Sequence, residues 1–228
     1  SPAELSAISS FSANVLRRFK VDINSTKPLN SIRLGAQMQP NFIIDLICAP
    51  FQTEHLNIKT LKKYDVGLVV KYLHQSHTEY LNKRIPEIEQ TLEILTEGFS
   101  HQSAFSIAIN SLFNNYRVHL IEHIDYEEKK LFPYALDLAG AYTLSPVEML
   151  DLFNYSSMQF LAEHNHSPID IGLIIKLFKN YRPDELNTTP YRLLMQQISA
   201  FKEDMYIHEL LEDHVLVPQL IDLEMSTI

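Results

Sequence analysis

Tryptophan is absent, cysteine occurs once and glycine only five times in this chain of 228 residues. A lone thiol, Cys48, excludes an internal disulfide framework. So little glycine leaves few sites for the tight turns of a β-rich or α/β chain. Basic runs are missing and the net charge is −9, which argues against a nucleic-acid surface. No apolar run approaches the ~18 residues of a membrane-spanning helix. No signal peptide is visible, so the expectation is a cytoplasmic protein with neither membrane nor nucleic acid as partner. What the chain does contain is 46% apolar residues, enough for a sizeable core. It is also rich in Leu, Ile, Glu, Lys and Gln, and long helices are the natural reading.

Four long helices are expected after about residue 60. The first covers roughly 65–98. Val66, Val70, Leu73, His77, Leu81, Ile85, Ile88, Leu92 and Leu95 face inward at steps of three and four. Pro86 falls inside this span and is expected to bend it. The second covers roughly 102–138, with Phe105, Ile109, Leu112, Tyr116, Leu120, His123, Glu127 and Leu131 on one face. The third starts at Ser145-Pro146-Val147-Glu148, a capping box with proline at the first helical position. Its inner face reads Met149, Phe153, Ser157, Phe160, His164, and Pro168 is expected to break it. The fourth starts at Thr189-Pro190 and turns Leu194, Ile198, Phe201, Met205, His208, Glu212 and Val215 to one side. Four amphipathic helices in succession imply an all-α fold, an up-and-down four-helix bundle over residues 60–228. Residues 1–52 read instead as short helices broken by "NSTKP" and "QPN", a small helical N-terminal domain. A linker is expected in "APFQTEHLNIK", residues 49–59.

Each long helix places a histidine on its apolar stripe: His77, His123, His164 and His208. A single buried histidine is ordinarily a core residue whose ring nitrogens find hydrogen bonds; four at matching places ask for a common reason. The second and fourth helices repeat one template, H-x3-E-x3-L-x-P, from His123 to Pro133 and from His208 to Pro218. Four residues is a little over one helical turn, so Glu127 and Glu212 lie on the same side as their histidines. A buried carboxylate beside buried imidazoles is costly unless a cation is present, and two metal ions supply it. Imidazole suits iron, and carboxylates can bridge two ions. His77 precedes His123 by 46 residues and His164 precedes His208 by 44, so the chain reads as two halves that each supply one side of a two-metal site. The expected metal ligands are His77, His123, Glu127, His164, His208 and Glu212, two histidines per metal with both glutamates bridging. Positions remain for a bridging oxygen and one small ligand. A ferritin-like di-iron pattern would need E-x-x-H on two helices, and only Glu163-x-x-His166 offers it. The zinc-protease motif H-E-x-x-H fails because Glu212 stands in its last place. His74 and His119, one turn before His77 and His123, are candidates for supporting roles, with His74 the reserve ligand. His55, His101, His166 and His214 read as solvated.

These residues carry a resemblance. "HIDYEEKKLFP", "AEHNH" and "HELLEDHVLVP" resemble the hemerythrin-like (HHE cation-binding) domain. More narrowly the chain resembles bacterial iron–sulfur cluster repair proteins, also known as regulators of cell morphogenesis and nitric-oxide signalling. The resemblance covers nearly the whole chain. It maps the family's ligands onto His123, Glu127, His164, His208 and Glu212. In the first helix the family often has a His-His pair, where this chain has His77-Thr78. The resemblance implies an oxo-bridged di-iron centre, two irons per chain, and a role in nitrosative or oxidative stress. The implied partners are nitric oxide or dioxygen and iron–sulfur client proteins. "SANVLRRFKVDINSTKPLNSI" is similar to the family's small N-terminal domain, in which an aspartate precedes a cysteine pair. Asp22 is present, but Asn24 and Ser25 stand where the cysteines would be. Beside repair, a non-enzymatic sensor or carrier of dioxygen or nitric oxide and a metal-free helical adaptor remain readings of the same residues. Monomer and homodimer are equally compatible with the sequence.

Overall fold

The computed structural model describes residues 1–32, 39–49, 58–97, 104–140, 154–163, 171–181 and 188–227. Every regular element among the described residues is helical. The expected linker lies mostly outside them, as do the start of the third long helix, Pro168 and His164. Contacts divide the chain into two compact units. One holds residues 1–76, 130–163 and 204–228; the other holds 77–129 and 164–203.

In the first unit, α1 (Pro2–Ser6) and α2 (Ser10–Arg18) follow in quick succession. The Ser9 hydroxyl caps α2 by accepting from the Ser12 N–H at 3.0 Å, and Phe11, Val15 and Leu16 turn inward. Helix α3 (Pro40–Cys48) opens on a proline and buries Phe42, Ile43, Leu46 and Ile47 against α2. Phe19, Phe42, Tyr64 and Tyr72 meet edge-on or tilted at centroid distances of 4.9–6.3 Å, a geometry favoured by ring quadrupoles. Next come α4 (Ile58–Leu61) and α5 (Val66–Glu79). Gly67 sits in the first turn of α5 and donates its N–H to the Asp65 carboxylate at 2.8 Å. A Cβ there would lie 2.9 Å from that same oxygen. Helices α8 (Phe132–Ala139), α9 (Ser157–Glu163) and α12 (Val217–Thr227) also belong to the unit. Glu224 ties them together, accepting from the Tyr134 hydroxyl, the Ser157 N–H and the Ser157 hydroxyl.

A buried ion pair holds the N-terminal residues in this unit. The Arg18 guanidinium grips Asp204 with both terminal nitrogens, and both side chains are 1% exposed. Arg18 also donates to the Tyr72 hydroxyl at 2.9 Å. Burial, with Asp204 nearby, pushes the Tyr72 phenol up to about 12 despite the opposing guanidinium. Residues 1–52 thus carry one half of a buried pair whose other half is Asp204, one turn before His208.

In the second unit, α6 (Ile85–Glu97) packs on α7 (Ala104–Tyr126). A helix not expected from sequence, α10 (Gly172–Tyr181), lies against α7 through Phe178 and Phe105, 5.2 Å apart edge to face. Its inward residues Ile171, Ile174 and Phe178 do have helical spacing, but exposed Leu173 and Leu177 blur the stripe. Helix α11 (Thr189–Leu211) starts in this unit, and its Phe201 meets Tyr80 and Tyr116 edge-on.

Prolines 86, 133 and 218 do not break their helices. Each is preceded by a wider π turn: Tyr80–Arg84, Glu127–Leu131 and Glu212–Leu216. In the first and last, the closing bonds run from the Ile85 N–H to the Tyr80 carbonyl and from the Val217 N–H to the Glu212 carbonyl, five residues back. In an α-helix a proline ring collides with the carbonyl four residues earlier. Those carbonyls belong to Asn82, Lys129 and His214, the third residue of each π turn, where the wider turn can tilt them away. The inserted residue also corrects the apolar stripe. Tyr80 rather than Leu81 is buried, and the next inward residue is Ile85, five on. Elsewhere small shifts occur: Phe113 is buried where Leu112 was expected, and Asp204 where Met205 was expected.

Replacing Asp204 with Ala leaves the Arg18 charge buried without its carboxylate and is expected to cost about 3–5 kcal/mol. The double change Arg18→Met with Asp204→Leu is expected to cost less than either single change. Urea unfolding of the three variants checks both statements.

Candidate metal centre

Helix α5 carries His77 near its end, helix α7 carries His123, and the π turn that follows α7 opens on Glu127. All three lie in the second unit. Glu127 is wholly buried and His77 is 2% exposed. His77 Nε2 is 2.9 Å from one Glu127 oxygen, and His123 Nε2 is 2.5 Å from the other. His123 reaches Glu127 from one turn earlier on its own helix; His77 reaches it across 50 residues of chain. One carboxylate therefore has an imidazole nitrogen at each oxygen, in a setting closed to water.

The other nitrogen of His77 is engaged as well. Nδ1 lies 2.6 Å from Glu128 Oε1. Burial by itself would push the His77 imidazole down. Its hydrogen bonds to Glu127 and Glu128 and the charges of both carboxylates outweigh that and hold it above the ordinary histidine range. A metal at Nε2 would take the place of a proton there, so metal uptake and proton release are linked at this residue.

In the first unit, His208 and Glu212 are each 1% exposed, with Nε2 and Oε2 3.6 Å apart along one helical turn. Glu212 also opens a π turn. Each unit therefore presents residues of the kind that can hold a metal ion, His77, His123 and Glu127 in one and His208 and Glu212 in the other. The donor chemistry fits: neutral imidazole and carboxylate are iron ligands, and buried carboxylates without water need a cation.

His164, the remaining expected ligand, lies outside the described residues, as do His55, His101 and His166. His74 is exposed, in contrast to buried His77. His119 is half-exposed and faces Glu122 on its own helix at 3.5 Å. His214 is exposed, as expected. Sequence reasoning missed Glu128. The only signal was the doubled acid Glu127-Glu128, which recurs as Glu212-Asp213 in the second template.

No family model matches the chain, and no solved structure matches it. Two curated proteins are similar. The iron–sulfur cluster repair protein ScdA of Staphylococcus haemolyticus (strain JCSC1435) is 19% identical over 207 residues, 90% of this chain and 90% of that protein. The iron–sulfur cluster repair protein YtfE of Pectobacterium carotovorum subsp. carotovorum (strain PC1) is 21% identical over 156 residues, 68% of this chain and 64% of that protein.

His77→Ala is expected to weaken metal binding at least about 10-fold, whereas His74→Ala leaves it unchanged, since of these two histidines it is His77 that stands at the buried carboxylate. Competition against a coloured chelator, with the wild-type chain alongside, measures both.

Proposed function

We propose that this chain is a two-iron protein that restores iron–sulfur clusters damaged by nitrosative or oxidative stress. Two similar proteins bearing the name iron–sulfur cluster repair support the functional class. The observation that carries the chemistry is Glu127, with His77 Nε2 at one oxygen and His123 Nε2 at the other. A carboxylate approached on both oxygens is the donor arrangement of a bridge between two metal ions. The ligand set proposed is His77, His123, Glu127, His164, His208 and Glu212, brought together by an up-and-down four-helix bundle. Four imidazoles and two bridging carboxylates give each iron four protein bonds, which leaves coordination positions for a shared oxygen and a small exchangeable ligand. Bound iron supplies redox chemistry and affinity for small ligands such as nitric oxide or dioxygen. The chain's own residues hold the ions, keep bulk water from the bridge and fix the imidazoles.

A second reading, a non-enzymatic binder of nitric oxide or dioxygen, is favoured by one specific feature. The N-terminal turn that resembles the thiol-bearing segment has no thiol. Its Asn24 N–H closes a turn on the Asp22 carboxylate at 3.0 Å, and Ser25 follows. Repair that runs through a cysteine pair cannot proceed there. Among the described residues no helix is long and apolar enough to cross a membrane, which fits a cytoplasmic repair protein or sensor equally.

Iron-replete protein is expected to carry two irons per chain and to absorb in the near ultraviolet and visible. Glu127→Ala is expected to lower the occupancy of both irons, whereas His123→Ala lowers chiefly one. Metal analysis and absorption spectra decide this; a full complement of two irons in Glu127→Ala with an unchanged spectrum would show that Glu127 does not bridge. Restoration of a nitric-oxide-damaged iron–sulfur enzyme by the loaded protein separates repair from binding alone.

A further inference from the structure

Glu128 sits one residue beyond the proposed bridge and has a different environment. Its side chain is 28% exposed, while Glu127 is fully buried. Yet both reach the same imidazole: Glu127 Oε2 at His77 Nε2, 2.9 Å, and Glu128 Oε1 at His77 Nδ1, 2.6 Å. Neighbouring side chains on an α-helix diverge by about 100° and rarely share a target. Here both belong to the opening of the Glu127–Leu131 π turn, which holds more residues per turn and so narrows the angle between them. The π turn that accommodates Pro133 is thus also what lets two consecutive carboxylates grip one ring.

We propose that Glu128 is the positioning residue of the His77 metal site, accepting the hydrogen bond from Nδ1–H so that Nε2 presents its lone pair to a metal at Glu127. The proposal rests on the two-iron reading above. An ionised carboxylate can only accept, so once a metal displaces the proton at Nε2 the remaining hydrogen is held on Nδ1 by Glu128. It also locks the ring plane and raises the basicity of the ligating nitrogen. The partial exposure of Glu128 lets water solvate its charge, which makes it an inexpensive orienting group in a place where a further buried carboxylate would be costly. By register alone, Asp213 stands in the second template where Glu128 stands in the first.

The test uses the full chain as wild type, Glu128→Ala, Glu128→Gln and the exposed control Asp125→Ala. Each is titrated with Fe(II) against a chelator, and the zinc-loaded forms are examined by NMR for the His77 Nδ1 proton. Glu128→Ala is expected to weaken one of two metal equivalents about 10–100-fold and to lose the slowly exchanging Nδ1 proton. Glu128→Gln keeps an accepting carbonyl and is expected to recover part of both, while Asp125→Ala matches wild type. The metal-free forms of all four are expected to melt alike, with only the metal-induced rise in Tm reduced in Glu128→Ala. Wild-type affinity in Glu128→Ala, or an Nδ1 proton that persists there, overturns the proposal. If Glu128→Ala does not fold, Glu128→Gln decides: equality with wild type in both affinity and Nδ1 exchange overturns it, and partial loss supports it. A wild-type chain that takes up no metal shows instead that the two-iron reading has failed.

Discussion

A carboxylate removed from water is expensive. Even after relaxation, an unpaired buried ion costs several kcal/mol. Glu127 is at 0% exposure, and its surroundings answer that cost: an imidazole nitrogen at each oxygen, one from its own helix and one from α5. In the metal-free chain, protonated histidine can balance the charge, which is why His77 is held above its ordinary range. A metal ion balances it better, because it supplies more charge and fixed coordination without needing the imidazole proton. The same logic applies to the buried His208–Glu212 pair in the other unit.

The helices that carry these groups share one local device. Three times among the described residues, a π turn is followed by a proline two residues beyond its end. Two of the turns open on the glutamates, and the remaining one opens on Tyr80, directly after α5 and three residues beyond His77. Proline forbids the ordinary α-helical geometry, and the wider turn is the least disruptive alternative that keeps the helix running. The turn changes the direction of the side chains that open it without shortening the helix on either side. This explains why such an unfavourable residue can sit inside long helices beside the site.

Stability and site are linked along α11. Asp204 anchors Arg18 of α2 and lies one turn before His208. The N-terminal helices thus act on the helix that carries a candidate ligand through a buried, bidentate ion pair reinforced by Tyr72. A fully desolvated pair of this kind need not stabilise more than an apolar replacement would. It does specify one arrangement, because either partner alone is severely penalised. The pair thereby fixes α2 against the stretch of α11 that carries His208.

Sequence alone determined the helical class, the apolar stripes and the His–Glu templates. All three are local: they depend on periodicity within one helix, and His123 with Glu127 is an i, i+4 relation that any helix would create. The choice between His74 and His77 was half-legible, since the stripe favours His77, but burial settles which one faces Glu127. The π turns left a trace in the five-residue step from Tyr80 to Ile85 and in the placement of the prolines, though neither trace is decisive when only steps of three and four are sought. Helix α10 was hidden by two exposed leucines. The contacts that define the site and anchor it were decided only by tertiary structure: His77 with Glu128 across 51 residues, Arg18 with Asp204 across 186. Nothing in a local pattern distinguishes Glu128 or Arg18 from a solvated surface charge. Their roles come from what packing brings opposite them, and packing is a property of the whole chain.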